Sequence, residues 1–171
     1  MKIWFTSDWH LDHHNIIGYC DRPFEKTSQM NNTILSNYRN MVAKDDIVYF
    51  LGDLSMRGSD NLNWYKSTFT KLPGIKHLVK GNHDRLSMWQ YEEAGFMTVA
   101  NAMHLELLDI YLVHDPAKSL VRKDKLWICG HVHNLFPKLM RPNLVNVSVD
   151  VWDFKPASLE EILELVKNSN V

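Results

Sequence analysis

The chain has 171 residues, enough for one full core and too few for two comfortable domains. Hydrophobic residues make up 45% and charged residues 23%, the balance of a folded domain rather than of a disordered segment. A net charge of −1 argues against a dedicated binder of long duplex nucleic acid, which would be more basic.

Two cysteines, Cys20 and Cys129, provide neither a disulfide framework nor a metal-ligand spacing. Only four residues separate Met1-Lys2 from Ser7-Asp8, which leaves no room for the apolar stretch of a signal peptide. No apolar run approaches the length of a membrane span. The expectation is a single domain over residues 1–171, cytoplasmic, and a monomer or small homo-oligomer.

Ile3 to Thr6 reads as a short strand that ends at Ser7-Asp8. Residues 28–43 read as a helix, with Met30, Ile34, Tyr38, Met41 and Val42 at 3–4 spacing and Ser28 or Thr27 as N-cap. Ile47 to Leu51 is a continuous apolar run, the mark of a strand covered on both faces, and it stops at Gly52-Asp53. A helix over 60–71 closes at Pro73-Gly74, and Ile75 to Val79 forms the next strand. Residues 86–94 look helical and stop at Gly95. From Phe96 to His114 the pattern is β-like, with Asp109 as a turn. Leu126 to Cys129 and Leu144 to Val149 are further strands. Ser158 to Glu161 is a capping box that opens a last helix, whose apolar face is Leu159, Ile162, Leu163 and Val166.

Five polar clusters punctuate this order: Asp8-Trp9-His10, Gly52-Asp53, Gly81-Asn82-His83-Asp84, His114, and Gly130-His131-Val132-His133. Four of them directly follow a β-like run. Ligands of open α/β sheets sit outside the carboxyl ends of the strands, so the clusters are expected to converge at one edge. Together they hold three Asp, one Asn and five His. One cation takes about four to six donors, so this set reads as two metal ions side by side. Alternation in extended segments would put Asp8 and His10 on one face, and likewise His131 and His133. Asp53, at the end of a buried strand, is a carboxylate that metal coordination would satisfy. Asn82 offers a neutral oxygen. His83 reads as a ligand or a proton donor, and Asp84 as the group that orients its ring.

This motif set resembles that of the calcineurin-like metallophosphoesterases, in order and spacing, from residue 3 to residue 133. The segments SDWHLDHHNIIGYCDRPF and NVSVDVWDFKPASLEEI further resemble small single-domain bacterial and phage members. The resemblance implies an α/β fold of two mixed sheets packed as a sandwich and flanked by helices, with the metal site at the carboxyl ends of strands and no cap domain. It implies two divalent ions (Mn, Fe, Zn, Ni or Co). Asp8, His10 and His133 would hold one, Asn82, His114 and His131 the other, and Asp53 would bridge. His83 would face the substrate near the leaving-group oxygen. One departure is Asp115 after His114, where relatives often carry a neutral residue.

The expected activity is hydrolysis of phosphate esters, with a diester on a nucleotide or single-stranded nucleic-acid-like substrate ahead of a nucleotide or phosphoprotein monoester. A non-catalytic scaffold would have lost ligands, and all seven are present. His13, Arg22, Arg57 and Arg85 are candidates to touch substrate phosphate, an Arg fork being suited to it. The basic stretch Lys118, Arg122, Lys123, Lys125, Lys138 and Arg141 reads as a solvated face or as a lip that attracts polyanions. Trp9 reads as packing, with stacking on a base as the alternative. His77 and His104 read as structural.

Overall fold

The computed structural model describes residues 1–56 and 60–169. In chain order the elements begin β1 (Ile3–Thr6), α1 (His14–Tyr19), α2 (Thr27–Met41), β2 (Ile47–Phe50), α3 (Leu62–Phe69), β3 (Ile75–Val79), α4 (Met88–Glu93) and β4 (Phe96–Ala100). They continue with β5 (Ala102–Leu105), β6 (Ile110–Val113), β7 (Leu126–Cys129), β8 (Leu139–Arg141), β9 (Leu144–Asn146), β10 (Ala157–Ser158) and α5 (Leu159–Asn168).

Ten strands form two five-stranded mixed sheets, of order β10-β1-β2-β3-β4 and β5-β6-β7-β9-β8. In the first, β1 to β4 run parallel and β10 is antiparallel. In the second, β6, β7 and β9 run parallel between antiparallel edges β5 and β8. Parallel neighbours need crossovers, and α2, α3 and α4 supply them in the first sheet.

The periodicities explain what each layer buries. Met30, Ile34 and Tyr38 of α2 pack with Val48, Phe50 and Leu78 in a core between the helices and the first sheet. Phe5, Leu51 and Val79 reach the other face and meet Leu112, Ile128 and Val145 of the second sheet, with Ile162 of α5. The expected sandwich with flanking helices is therefore the observed architecture.

Register sets the site. Thr6 lies beside Phe50 and Phe50 beside Leu78, so three strands end level. Val113 lies beside Cys129, and Cys129 beside Asn146, in the other sheet. A parallel bridge between Ser7 and Ser148 brings these two edges together, and the N–H of Val149 donates to the carbonyl of Ser7 at 3.1 Å.

The element boundaries differ locally from expectation. The N-cap of α2 is Lys26, because Gln29 Oε1 accepts from the backbone N–H of Glu25 and Lys26 and closes the turn one residue early. The strand expected over Leu144 to Val149 stops at Asn146, whose side chain accepts from the N–H of Ser148 and starts a turn. α1, β8 and β10 are additions of six, three and two residues, too short for periodicity to declare. Among the described residues, no helix is long and apolar enough to cross a membrane.

Candidate functional site

The five clusters meet where the two sheets meet. Carboxylate or ring atoms of Asp8, His10 and His133 lie within 4.8 Å of one another, and so do those of Asp53, His114 and His131. His10 Nε2 and His114 Nε2 stand 3.5 and 3.4 Å from the same oxygen of Asp53, Oδ2. Asn82 Oδ1 lies 3.1 Å from His114 Nε2. Six of the seven expected ligands thus fall into two groups that share an edge at Asp53, and Asn82 lies beside the second.

The backbone achieves this by kinks rather than by alternation. Asp8, His10, Asp53, His131 and His133 all have positive φ, between 46° and 73°. Non-glycine residues seldom adopt this conformation, and it concentrates where function over-determines the backbone. The expectation that extended alternation pairs Asp8 with His10, and His131 with His133, is corrected accordingly: left-handed turns aim these side chains. Trp9, between the first pair, is 1% exposed, meets Tyr38 and Phe50 edge-on and stacks on Phe69, and donates its indole N–H to Thr6 Oγ1 at 2.7 Å. It is a core residue.

Two motif glycines exist because these side chains cross them. A Cβ on Gly81 would stand 2.1 Å from Asp53 Oδ1, and one on Gly130 would stand 1.8 Å from Ser7 Oγ. Neither position has room for a methyl group.

Hydrogen bonds lock the donors. His114 Nδ1 contacts the carbonyl of Leu51 at 2.6 Å. A carbonyl only accepts, so Nδ1 carries the proton and Nε2 faces Asp53. Both Asp8 oxygens accept from the N–H of His131, and Oδ2 also from the hydroxyl of Ser7. Asp53 Oδ1 accepts from the N–H of His83 at 2.9 Å.

The electrostatics favour positive charge here. Burial alone would lower His114, yet Asp53 and Asp8 lift it to about 9. Burial likewise opposes ionisation of Asp53, but His114, His10 and the N–H of His83 hold its carboxyl well below the usual range. His10 is driven down, chiefly by burial, with Asp53 only partly offsetting it. Neither ring nitrogen of His10 makes a hydrogen bond, although the residue is 2% exposed. A buried imidazole left so, facing a carboxylate, is costly in the protein alone. A cation coordinated between them would satisfy both, so the residues present fit a divalent metal.

The arginine expectations divide. Arg22 is corrected: it is 4% exposed, bidentate to Asp150 at 2.7 and 3.0 Å, and donates to the carbonyls of Asp8 at 2.8 Å and Trp9 at 3.0 Å. Its donors are spent on Asp150 and on the carbonyls of Asp8 and Trp9, so it holds the segment that carries Asp8 and His10 rather than meeting substrate. Arg57 lies outside the described residues. Arg85 is exposed beside the Gly81–Asp84 turn. Asp84 does not pair with the His83 ring through any of its described bonds. Its oxygens accept from the N–H groups of Asp53, Leu54 and Gly81 at 2.8–3.1 Å, and thereby clamp the loops that carry Asp53 and Asn82 together. Burial raises its pKa, with the Asp53 charge adding to the shift and those three donors opposing it.

His13 and His83 line, with His10, a cavity of about 310 Å³ over the two groups. The ring of His10 lies 5.3 Å from each of theirs. His77 stacks on Tyr49, and His104 stacks on Tyr111 and contacts Asp109 at 3.1 Å, both as structural histidines. The basic stretch does not form one lip. Lys125 pairs with Asp109 where β6 and β7 begin, the opposite end of these strands from His114 and His131, and Arg122 pairs with Asp124. Lys118 alone of the pairs comes to the site side, 3.2 Å from Asp115 and beside a cavity that His114 and Asn82 also line. Asp115 accepts from the N–H of Ala117 and stands 3.6 Å from His131 Nε2.

Sequence reasoning assigned no role to Asp150, Asn146 or Tyr19. Asp150 accepts from Ser148 Oγ and contacts His133 Nδ1 at 2.7 Å, so Arg22, Asp150 and His133 form one chain. Asn146 donates to the carbonyls of His133 and Phe136, which fixes the turn that carries His133. The one local signal for Asp150 was a carboxylate between two valines, Val149 and Val151.

A sandwich of two mixed sheets with clustered Asp, His and Asn at the strand ends is the frame of a metal-dependent phosphoesterase. Residues 1–117 match the family model described as calcineurin-like phosphoesterase. The chain belongs to this family and is a metal-dependent hydrolase of phosphoesters. It is 33% identical to an uncharacterized protein of Methanocaldococcus jannaschii, over 99% of this chain and 94% of that one. It is 26% identical to the Gene 66 protein of Mycobacterium phage D29, over 98% and 96%. The crystal structure of a protein of unknown function from Aquifex aeolicus is similar, with a TM-score of 0.71 and 27% identity over 96% of this chain and 98% of that chain.

Proposed function

We propose that the chain is a single-domain, cap-less phosphodiesterase of the cytoplasm, dependent on two divalent ions such as manganese and acting on nucleotide or single-stranded nucleic-acid-like esters. The observation that carries the reading is the shared oxygen of Asp53, approached by His10 from one group and by His114 from the other. Asp8, His10 and His133 would hold one ion, Asn82, His114 and His131 the other, and Asp53 both. Bound there, such ions would supply Lewis-acid activation of a water nucleophile and of the phosphate.

The protein's own part is positioning and proton transfer. Asp84, Arg22 and Asp150 hold the loops that carry the donors. His83, tethered through its N–H to Asp53, presents its ring to the cavity and protonates the departing oxygen. His13 lines the same cavity and contacts the phosphate, and Arg85 and Arg57 are further candidates to reach it.

The test is a screen of purified protein against bis-aryl and mono-aryl phosphates, cyclic nucleotides and single-stranded oligonucleotides, each with Mn, Ni, Zn and Mg. Diester turnover that chelation abolishes and one of these metals restores is expected. Turnover of monoesters alone would replace the reading with a phosphatase.

A further inference from the structure

Trp9 lies in the core, yet the cavity over the two donor groups does have an aromatic wall. Tyr19, at the end of α1, is 72% exposed and faces the His13 ring edge-on at 6.2 Å. Leu135, in the turn after His133, is 81% exposed and lines the same cavity, together with Ile16. Large apolar side chains this exposed mean something when they cluster at a cleft. Here they adjoin a polar cradle, so the cavity has one end that takes charge and one that takes apolar surface.

The two walls are built, not incidental. Asn134 Nδ2 donates to the carbonyl of Cys20 at 2.9 Å, which ties the Leu135 turn to the end of α1. Asn146 holds the same turn from below through the carbonyls of His133 and Phe136. The rings of His83, His10, His13 and Tyr19 follow one another at 5.3, 5.3 and 6.2 Å, a row leading from the cradle outward.

We infer that Tyr19 and Leu135 form a subsite for a planar aromatic group on the esterified oxygen, a nucleobase in a natural substrate. This rests on the phosphoesterase reading and names the substrate class for it. The two side chains offer a ring and an alkyl group to the cavity, so the subsite grips by stacking and apolar contact, which every base offers. Selection is therefore for an aromatic group, with little preference among bases.

The test is direct binding to Mn-loaded protein of inorganic phosphate, ribose 5-phosphate and adenosine monophosphate, by calorimetry. Tyr19→Ala should weaken adenosine monophosphate about fivefold or more, the low end of the value of one base on an aromatic ring, and leave the other two unchanged. Tyr19→Phe should restore it, since the ring and not the hydroxyl is required. Guanosine, cytidine and uridine monophosphates should follow adenosine within a few-fold. Equal affinity of wild type and Tyr19→Ala for adenosine monophosphate, with phosphate binding intact, would overturn the subsite and leave the phosphoesterase reading standing. If the wild type binds none of the three, that reading falls, and the subsite with it.

Discussion

The backbone N–H of His83 donates to Oδ1 of Asp53 at 2.9 Å, so the residue proposed to protonate the leaving group hangs from the residue proposed to bridge the ions. Among the described residues only the amide of His83 is hydrogen-bonded, and its ring lines the cavity. That arrangement separates a structural tether from a chemical task, and the two are separable by mutation. His83→Ala and His83→Asn should keep the amide tether and the metals and lose roughly 10²–10⁴-fold in rate. The loss should shrink for esters with a good leaving group, which need no proton. Depletion of metal in either variant, by elemental analysis, would show that His83 is a ligand instead.

Asp53 faces both donor groups, so its loss should be felt in both. Elemental analysis of Asp53→Asn should find both ions depleted, with turnover falling in step. Near-full occupancy with normal turnover would remove the bridging assignment.

The Arg22–Asp150–His133 chain predicts an effect on metal affinity without any contact to substrate. Asp150 holds the ring that would ligate, and partners of this kind are worth about 10–100-fold in affinity. Asp150→Asn should weaken binding by that order in a chelator competition. Asp150→Ala, which strands the buried Arg22, should also cost about 3–5 kcal/mol of stability in urea unfolding. Unchanged metal affinity in both variants would reduce the chain to a packing feature.

Asp46 offers a test of the fold distant from the site. Its carboxylate accepts from the N–H groups of Ala43 and Lys2 and from the indole of Trp4, which hold its pKa down at about 2. A depressed carboxylate stabilises the native state above its unfolded pKa, about 4, and loses that contribution as pH falls towards 2. Asp46→Ala should therefore be less stable than wild type at pH 5 by about 1 kcal/mol, and the gap should close in that window. A gap independent of pH in urea titrations would show that the bonds matter and the charge does not.

Charge at the mouth should act through Lys118 and not through Lys123 and Lys125. Lys125 is paired with Asp109 at the far end of the strands, whereas Lys118 is 74% exposed at the site side. Lys118→Ser should raise KM for an oligonucleotide at low salt and converge with wild type near 1 M, where the Debye length is about 3 Å. Lys123→Ser with Lys125→Ser should leave KM unchanged. The reverse pattern would return the whole basic stretch to the substrate.

Strand ends and donor clusters were legible in the sequence because both are local. A continuous apolar run that stops at Gly-Asp announces its own boundary, as the one containing Ile47–Phe50 does, and Ile75–Val79 stops one residue short of Gly81. The capping box at Ser158 opened α5 where expected, since the bond from Ser158 Oγ to the N–H of Glu161 spans three residues. Parallel strands that end level then bring the clusters together, which is why their convergence could be expected from order alone.

What the tertiary structure decided depends on partners far apart in the chain. Arg22 looked like a phosphate fork and is instead tied to Asp150, 128 residues away, because a buried guanidinium needs a carboxylate and carbonyls that only the fold supplies. Asp84 looked like the orienting partner of its neighbour's ring and instead accepts N–H groups from the loop after β2. The left-handed turns at Asp8, His10, His131 and His133 replaced the alternation expected there, so a positive φ, not extended strand geometry, aims those side chains. Sequence determines which residues can form a motif. Packing determines which of their hydrogen-bonding atoms are already used, and so which remain free for chemistry.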